Sequence, residues 1–219
     1  MKEYKQDNLT IYNADCMEIM SRYEDNYFDL AVVDPPYTDD CSNMKNYLND
    51  MRGHNYNLEA LEGAPKKKYF DELMRVSKNQ IVWGGNYFPY IWNFGGRCFI
   101  YWHKGNPVKN FADGEMAWTS FDENAKQFDF RYYGSLQGNT SADKKIHPTQ
   151  KPKELYNWIY KNYSKEGQKI LDTHLGSGSN AISAHYAKMG EFVGCELDAD
   201  YYEASIKRIH QETRQLELF

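Results

Sequence analysis

The stretch Leu30-Ala31-Val32-Val33-Asp34-Pro35-Pro36-Tyr37 decides the fold. Its apolar half predicts a strand buried on both faces, as is typical of a parallel sheet. The two prolines stiffen the backbone and carry no N–H, so the carbonyls of this turn are free to accept hydrogen bonds. Open α/β sheets bind ligands at the carboxyl ends of their strands. The stretch is therefore either an ordinary strand-ending turn or a rigid corner for a planar group with an exocyclic amine, such as an adenine or cytosine edge.

Composition narrows the class of protein. The chain has 219 residues, with 19 Tyr, 11 Phe and 5 Trp, and a formal net charge of −5. The length suits one α/β domain. The charge excludes a globally basic nucleic-acid-binding protein, although a local basic stripe would still contact phosphate. We expect no metal site, reduced thiols and a cytoplasmic location, because the cysteines are widely spaced and no signal peptide or membrane-spanning run is visible. The cysteines are Cys16, Cys41, Cys98 and Cys195.

The pattern along the chain alternates strands and helices. Two strands around 10–16 and 28–33 bracket a helix predicted over 17–23, which makes a parallel βαβ unit. The strand predicted over 80–83 ends at Gly84-Gly85, where glycine allows unusual backbone. The remaining predicted strands cover 97–102, 117–119, 128–133, 169–172 and 192–196, and the remaining helices cover 69–77, 153–163, 180–189 and 200–211.

Two regions lack this regular pattern. Residues 38–68 are polar and end in three lysines, which predicts a lid, a DNA-binding loop or disorder. The lysine run is either a solvated face or a contact to DNA phosphate. Residues 103–146 mix aromatic side chains with cations, which suits a small target-recognition region and equally an edge hairpin with a solvated face. Those cations are Lys104, Lys109, Arg131, Lys144 and Lys145.

A glycine-rich loop follows the strand that ends at Asp172. It carries Gly176 and Gly178, and Glu196 ends the next strand about 20 residues further on, where a carboxylate suits two ribose hydroxyls. The third glycine of a dinucleotide fingerprint is absent, since Ala181 follows. The loop therefore favours a nucleoside ligand without pyrophosphate over NAD.

Four motifs in this order resemble those of the beta class of DNA amino-methyltransferases, of the small bacterial or phage type. The motifs are Asp34-Pro35-Pro36-Tyr37, His147-Pro148-Thr149-Gln150-Lys151-Pro152, residues 172–179 and residues 194–198. The resemblance covers nearly the whole chain. It implies a single methyltransferase domain over 1–219 with a Rossmann-like α/β fold. The implied sheet is doubly wound and mostly parallel with one antiparallel strand, and the motif order is permuted, with the catalytic motif before the cofactor loop.

The resemblance also implies roles for individual residues. Asp34 and the Pro35 carbonyl would accept hydrogen bonds from the amine of a flipped-out base, with Tyr37 stacked on it. Four residues would form the catalytic motif, namely Asp34, Pro35, Pro36 and Tyr37. S-adenosylmethionine would be bound by Asp15, Cys16, Thr149, Lys151, Asp172, Gly176, Ser177, Gly178, Ser179 and Glu196. In this set Thr149 and Lys151 lie near the methionine carboxylate. His174 stands where phenylalanine is common, and we expect a partly buried, hydrogen-bonded histidine without a catalytic role.

The predicted function is site-specific methylation of double-stranded DNA at adenine N6, as in restriction-modification. Asp34 as the first motif residue favours adenine; cytosine N4 and an inactive DNA-binding subunit are the alternatives. A glutamine or RNA methyltransferase is disfavoured by that aspartate and by the motif order, and the lack of a Pro-Cys pair disfavours carbon-5 chemistry. The expected location is the cytoplasm of a bacterial cell or phage-infected host, and the oligomeric state, including a dimer, is left open.

The tail over 212–219 is a candidate binding segment for a second partner. Its last residues resemble the peptide that binds bacterial sliding clamps, with a polar anchor followed by apolar side chains. They are Gln215, Leu216, Leu218 and Phe219. The alternative is a last helical turn whose apolar residues pack on the domain.

Overall fold

The computed structural model describes residues 1–38, 63–106, 112–133, 136–137 and 145–214. Strands β1 to β11 span Lys2–Gln6, Leu9–Asn13, Leu30–Val33, Gln80–Trp83, Phe99–His103, Gly114–Thr119, Lys126–Asp129, Tyr132–Tyr133, Leu136–Gln137, Lys169–Asp172 and Glu191–Glu196. Helices α1 to α5 span Cys16–Met20, Lys67–Val76, Lys153–Tyr163, Ser179–Tyr186 and Ala199–Thr213, and two 3₁₀ helices span Gly85–Tyr87 and Pro89–Phe94.

Nine of these strands form one sheet, in the order β1-β2-β11-β10-β3-β4-β6-β5-β7. Strands β2, β11, β10, β3 and β4 run parallel, and β6 lies antiparallel between β4 and β5. The predicted doubly wound, mostly parallel α/β sheet is confirmed. Strand β1 adds an antiparallel edge strand that the sequence did not reveal, with Lys2 opposite Asn13.

Helices cover both faces of the sheet because neighbouring strand residues point to opposite sides. Val33 belongs to the core under α1 and α2 with Leu73, whereas Val32 belongs to the core under α3 to α5 with Ile182. All four side chains are at most 1% exposed. Each such side chain contributes about 1.5–3 kcal/mol by leaving water, so both faces hold β3 in place.

Several predicted boundaries differ from the structure. Helix α1 ends at Met20 and α4 ends at Tyr186, both earlier than predicted. The strand predicted over 128–133 is wrong as one element, because β7 ends at Asp129 in the large sheet and Tyr132 begins β8, which pairs with β9 in a separate two-stranded sheet. There the Phe130 carbonyl accepts a hydrogen bond from the Trp102 indole at 2.9 Å. The two 3₁₀ helices after β4 were not predicted.

The two irregular regions are described only in part. Residues 39–62 of the predicted lid lie outside the described residues, and Lys67 at its end begins α2 and pairs with Asp71 at 2.7 Å. In the predicted target-recognition region, the described residues include strands β6 to β9, while 107–111, 134–135 and 138–144 lie outside. The tail residues 215–219 lie outside as well. Among the described helices, none is long and apolar enough to cross a membrane.

Candidate active site

The candidate site lies at the carboxyl edge of four neighbouring strands. Asp34 follows β3 and Gly84 follows β4, while Asp172 ends β10 and Glu196 ends β11. Asn180 joins the two motifs, because its side-chain amide donates to the Val32 carbonyl at 3.1 Å and to Asp172 Oδ2 at 2.8 Å. The structure therefore brings the proline corner and the glycine-rich loop side by side, as the parallel sheet requires.

The proline corner holds Asp34 by both carboxylate oxygens. The Tyr37 hydroxyl donates to Asp34 Oδ1 at 2.6 Å, and Lys151 Nζ donates to Asp34 Oδ2 at 2.5 Å. The Asp34 side chain is 16% exposed, so it remains open on one side. Pro35 is buried and Pro36 is partly buried directly after it. The corner therefore presents a fixed anionic acceptor to the solvent side.

Lys151 lies between two carboxylates. Besides Asp34, its ammonium pairs with Glu115 Oε2 at 3.1 Å, and Glu115 also pairs with Lys104. Burial would raise the pKa of Glu115, but the two ammonium groups lower that pKa to about 2. Burial would likewise lower the pKa of Lys151, but Asp34 and Glu115 raise it above its usual value. Both groups are therefore charged at neutral pH, and Lys104 is the second cation paired with Glu115.

The Tyr37 ring has its own support. Gly84 has a φ of +68°, and a Cβ at that position would lie 2.1 Å from Tyr37 Cε1. The ring of Tyr87 lies nearly parallel to that of Tyr37, with centroids 5.0 Å apart and planes at 13°. Burial and the Asp34 charge raise the pKa of Tyr37 well above its usual value, so its hydroxyl stays a donor. The aromatic ring is thus fixed beside the carboxylate.

The glycine-rich loop is fixed by the two strand-ending acids. Asp172 Oδ1 accepts the His174 N–H at 3.0 Å, and Glu196 Oε2 accepts the Gly176 N–H at 2.9 Å. Glu196 Oε1 accepts the Asp198 N–H at 3.0 Å. Burial raises the pKa of both carboxyls to about 7, although these N–H groups oppose the rise.

Helix α5 supports the rest of the loop. Gly176 and Gly178 have φ values of +55° and +78°, a left-handed backbone that glycine adopts without strain. The Arg208 guanidinium donates to the Ser177 carbonyl at 2.8 Å and to Ser179 Oγ at 3.0 Å. The loop backbone is therefore held in a shape that would let a ligand approach closely.

Asp15 and Cys16 begin α1 at the next strand end. Asp15 caps the helix by accepting the Met17 N–H at 2.8 Å, and the Ala14 N–H donates to the Glu196 carbonyl at 3.2 Å. Burial raises the pKa of Cys16 to about 12, so it remains a thiol. These contacts place the start of α1 beside the end of β11.

Two histidines flank the loop. His174 is partly buried with Nδ1 2.9 Å from Thr173 Oγ1, as the sequence predicted, and burial lowers its pKa to about 4. His147 lies edge-on to Tyr201, and Thr149 Oγ1 lies 3.2 Å from His147 Nδ1. No group of three or more metal-ligating side chains occurs in the described ranges.

These features match one known family. The family described as DNA methylase, of the N6/N4 type, matches residues 16–207. The chain belongs to this family. The type II methyltransferase M2.MboI of Moraxella bovis is 23% identical over 94% of this chain and 89% of its own length.

Solved structures share the fold of this DNA methylase. The M1.HpyAVI–SAM complex has a TM-score of 0.61 and 21% identity, covering 92% of this chain and 98% of its own. The PvuII cytosine-N4-specific DNA methyltransferase has a TM-score of 0.65 and 15% identity, covering 96% of this chain and 92% of its own. The predicted family and fold are confirmed.

Sequence reasoning about this DNA methylase missed several residues that shape the site. Glu115 and Asn180 belong to no motif, and their contacts depend on strand pairing that joins distant parts of the chain. Gly84 carried a signal, since two glycines after a buried strand indicate close packing. The individual cofactor and catalytic roles of the predicted residues stay predictions.

Proposed function

We propose that this DNA methylase transfers a methyl group from S-adenosylmethionine to the N6 amine of a flipped-out adenine in double-stranded DNA. The observation that carries the proposal is the corner in which Asp34 and Tyr37 are held together by a 2.6 Å hydrogen bond beside the glycine-rich loop. A carboxylate acceptor next to a fixed aromatic ring suits a planar base with an exocyclic amine.

The residues at the glycine-rich loop fit the cofactor. Each oxygen of Glu196 accepts one backbone N–H, and a carboxylate oxygen can accept a second bond, so ribose hydroxyls can still bind. Gly178 also lets α5 pack against the loop, since a Cβ at that position would lie 3.0 Å from Ile209. The predicted cofactor residues Asp15, Cys16 and Asp172 line neighbouring strand ends. When bound there, the cofactor supplies a methyl group on a sulfonium.

The residues of the corner position the base. Flipping a base out of the duplex costs a few kcal/mol, which stacking on Tyr37 offsets in part. Asp34 and the Pro35 carbonyl accept the amine N–H groups and so orient the nitrogen for in-line attack, while Pro36 keeps the corner stiff. Tyr37 and Lys151 stay protonated at neutral pH, so Asp34 is the acceptor here. No covalent intermediate with the protein is needed.

The choice of adenine rests on the aspartate at the first motif position. Cytosine N4 is the second candidate, favoured by the fold shared with the PvuII cytosine-N4-specific enzyme. Labelled S-adenosylmethionine should transfer its methyl group to duplex DNA, and mass spectrometry of the digested nucleosides should find N6-methyladenine. N4-methylcytosine would overturn the choice of base. Bound DNA without any incorporation would favour the inactive DNA-binding subunit.

Variants of the corner test the residue roles. Asp34→Ala and Tyr37→Ala should each abolish most methylation while the Kd for S-adenosylmethionine, measured by calorimetry, stays unchanged. Asp122→Ala is a matched control, because Asp122 is 87% exposed and pairs only with surface groups. Full activity in either corner variant would refute the assignment.

A further inference from the structure

We propose that Lys151 is a positioning residue of the base site, anchored by Glu115, and that it acts by holding the Asp34 carboxylate in place for the base amine. This inference rests on the proposed function and deepens it. The sequence motif placed Lys151 near the methionine carboxylate of the cofactor, so the two roles make opposite predictions that can be measured.

The Lys151 ammonium makes two hydrogen bonds and one further ion pair, all with groups at or beside the base corner. Its nitrogen lies 2.5 Å from Asp34 Oδ2, 3.1 Å from Glu115 Oε2 and 3.3 Å from the Tyr37 hydroxyl oxygen. An ammonium carries three N–H groups and no acceptor. Both hydrogen bonds of Lys151 are therefore made to the base corner, and its remaining contact is the ion pair with Glu115.

The surroundings of Lys151 keep water away from these contacts. Its side chain is 4% exposed, and its nitrogen lies 5.4 Å from the ring centroid of Trp83 and 5.9 Å from that of Tyr37. Both rings present their electron-rich faces to the charge. An ion pair enclosed in this way is stronger and geometrically better defined than one on the surface.

Charges of alternating sign form a line that ends at the reacting corner. Lys104 pairs with Glu115, Glu115 pairs with Lys151, and Lys151 pairs with Asp34. The two cations and two anions balance, so each of these four groups has a partner of opposite charge. Glu115 prevents Lys151 from turning toward the solvent side of the site and thereby fixes the direction from which Asp34 is held.

The consequence for Asp34 is a carboxylate that is fixed before the base arrives. Its direct neighbours are Lys151 and Tyr37. Glu115 and Asp172 act on the same corner through their charges, and Tyr156 packs close enough to interact with Asp34 electrostatically. Lys151 is the only described cation that contacts Asp34 directly. Without Lys151 the Asp34 carboxylate would keep only the Tyr37 hydroxyl as a direct partner and would be less well fixed in place.

The decisive variant is Lys151→Met, which keeps the length of the stem and removes the charge. We expect kcat to fall by about 100-fold, as when a preorganised donor is removed from an active site. The Kd for S-adenosylmethionine, titrated by calorimetry, should stay within about twofold of wild type. Lys151→Arg keeps the charge and should recover part of kcat, whereas Glu115→Gln should lower kcat less than Lys151→Met.

A matched control exists at the other end of the same strand. Lys78 pairs with Asp29 at 2.7 Å just before β3, but the Lys78 side chain is 53% exposed. Lys78→Met should leave kcat and the cofactor Kd unchanged. If Lys151→Met does not fold, the double variant Lys151→Met/Glu115→Gln removes one charge of each sign. It should give a native circular dichroism spectrum with kcat still low.

The outcomes separate this inference from the proposed function. A cofactor Kd raised tenfold or more in Lys151→Met, or a kcat near wild type in that variant, would overturn the positioning role. If wild-type protein transfers no methyl group to DNA, the proposed function fails. The cofactor titration then still judges this inference, because an unchanged Kd supports it and a raised Kd refutes it.

Discussion

Replacing Gly84 by alanine should displace the Tyr37 ring, on which the proposed function stacks the flipped base. The three atoms nearest to an added Cβ all belong to the Tyr37 ring, with Cε1 at 2.1 Å, Cδ1 at 2.5 Å and Cζ at 2.6 Å. Carbon atoms in ordinary contact lie about 3.5–4 Å apart, so the ring must move by more than about 1 Å. Tyr37 donates to Asp34, and this shift therefore also disturbs the carboxylate.

Gly84→Ala should lower both the stability and the activity of the protein, each for a separate reason. The φ of +68° costs a residue other than glycine about 1–2 kcal/mol, which lowers Tm by about 2–8 °C in a domain of this size. Stacking of a base on an aromatic ring is worth about 1–3 kcal/mol, so kcat/KM should fall by about 5- to 150-fold. Thermal melting and methyl transfer to duplex DNA measure the two effects independently.

Gly167→Ala is a control that introduces the same backbone strain without displacing the Tyr37 ring. Gly167 has a φ of +84°, and nothing lies within 4 Å of an added Cβ. This control should lose a similar amount of stability and keep wild-type kcat/KM. The reasoning would be refuted if Gly84→Ala matched the control in both measurements, because the Tyr37 ring would then not depend on the glycine.

Three further predictions concern the cofactor loop, the buried histidine and the tail. The pKa of Glu196 is raised to about 7, so the Kd for S-adenosylmethionine should rise between pH 8 and pH 6 as the carboxylate protonates. Glu196→Gln should bind S-adenosylmethionine about 10-fold more weakly and show no pH dependence of the Kd. An unchanged affinity in this variant would remove the ribose role. Burial, with help from nearby lysines, lowers the pKa of His147 to about 3, so the folded state resists protonation and loses about 2 kcal/mol of stability from this group between pH 7 and pH 5. Urea unfolding of His147→Gln should show that loss removed, and an unchanged pH slope would contradict it. A chain ended at Arg214 should no longer be retained by immobilised bacterial sliding clamp, whereas equal retention of both chains would end that prediction.

The elements that could be predicted from sequence are those whose signal is local. Strand β3 is a run of four buried residues that leads into the Asp-Pro-Pro turn, and β10 is a short strand, buried from Ile170 to Asp172, that leads into the glycine-rich loop. Their parallel neighbourhood follows from the handedness of βαβ units, so Asp34, Asp172 and Glu196 could be placed at one edge of the sheet.

The rest depends on contacts between distant parts of the chain. Strand β1 has the sequence Lys-Glu-Tyr-Lys-Gln and only becomes a strand because β2 offers it an unpaired edge. Glu115 is one acid at the start of β6, and its partner Lys151 becomes visible only once β6 is placed antiparallel to β4. Propensity carries no information about such pairings, which is why the ion pair behind Asp34 was missed.

Side-chain contacts join the first strand, β1, to the last helix, α5. The Gln6 amide donates to Thr213 Oγ1 at 2.7 Å, and Lys2 pairs with Glu203 at 2.6 Å. A short peptide linker could therefore join these two elements, and new chain termini could be placed just before His147 without interrupting the sheet. The rearranged gene would encode the cofactor half first and the base half second. The same sheet could thus be encoded with residues 172–196 ahead of residues 34–37, because the order of the motifs along the chain does not determine which strands are neighbours.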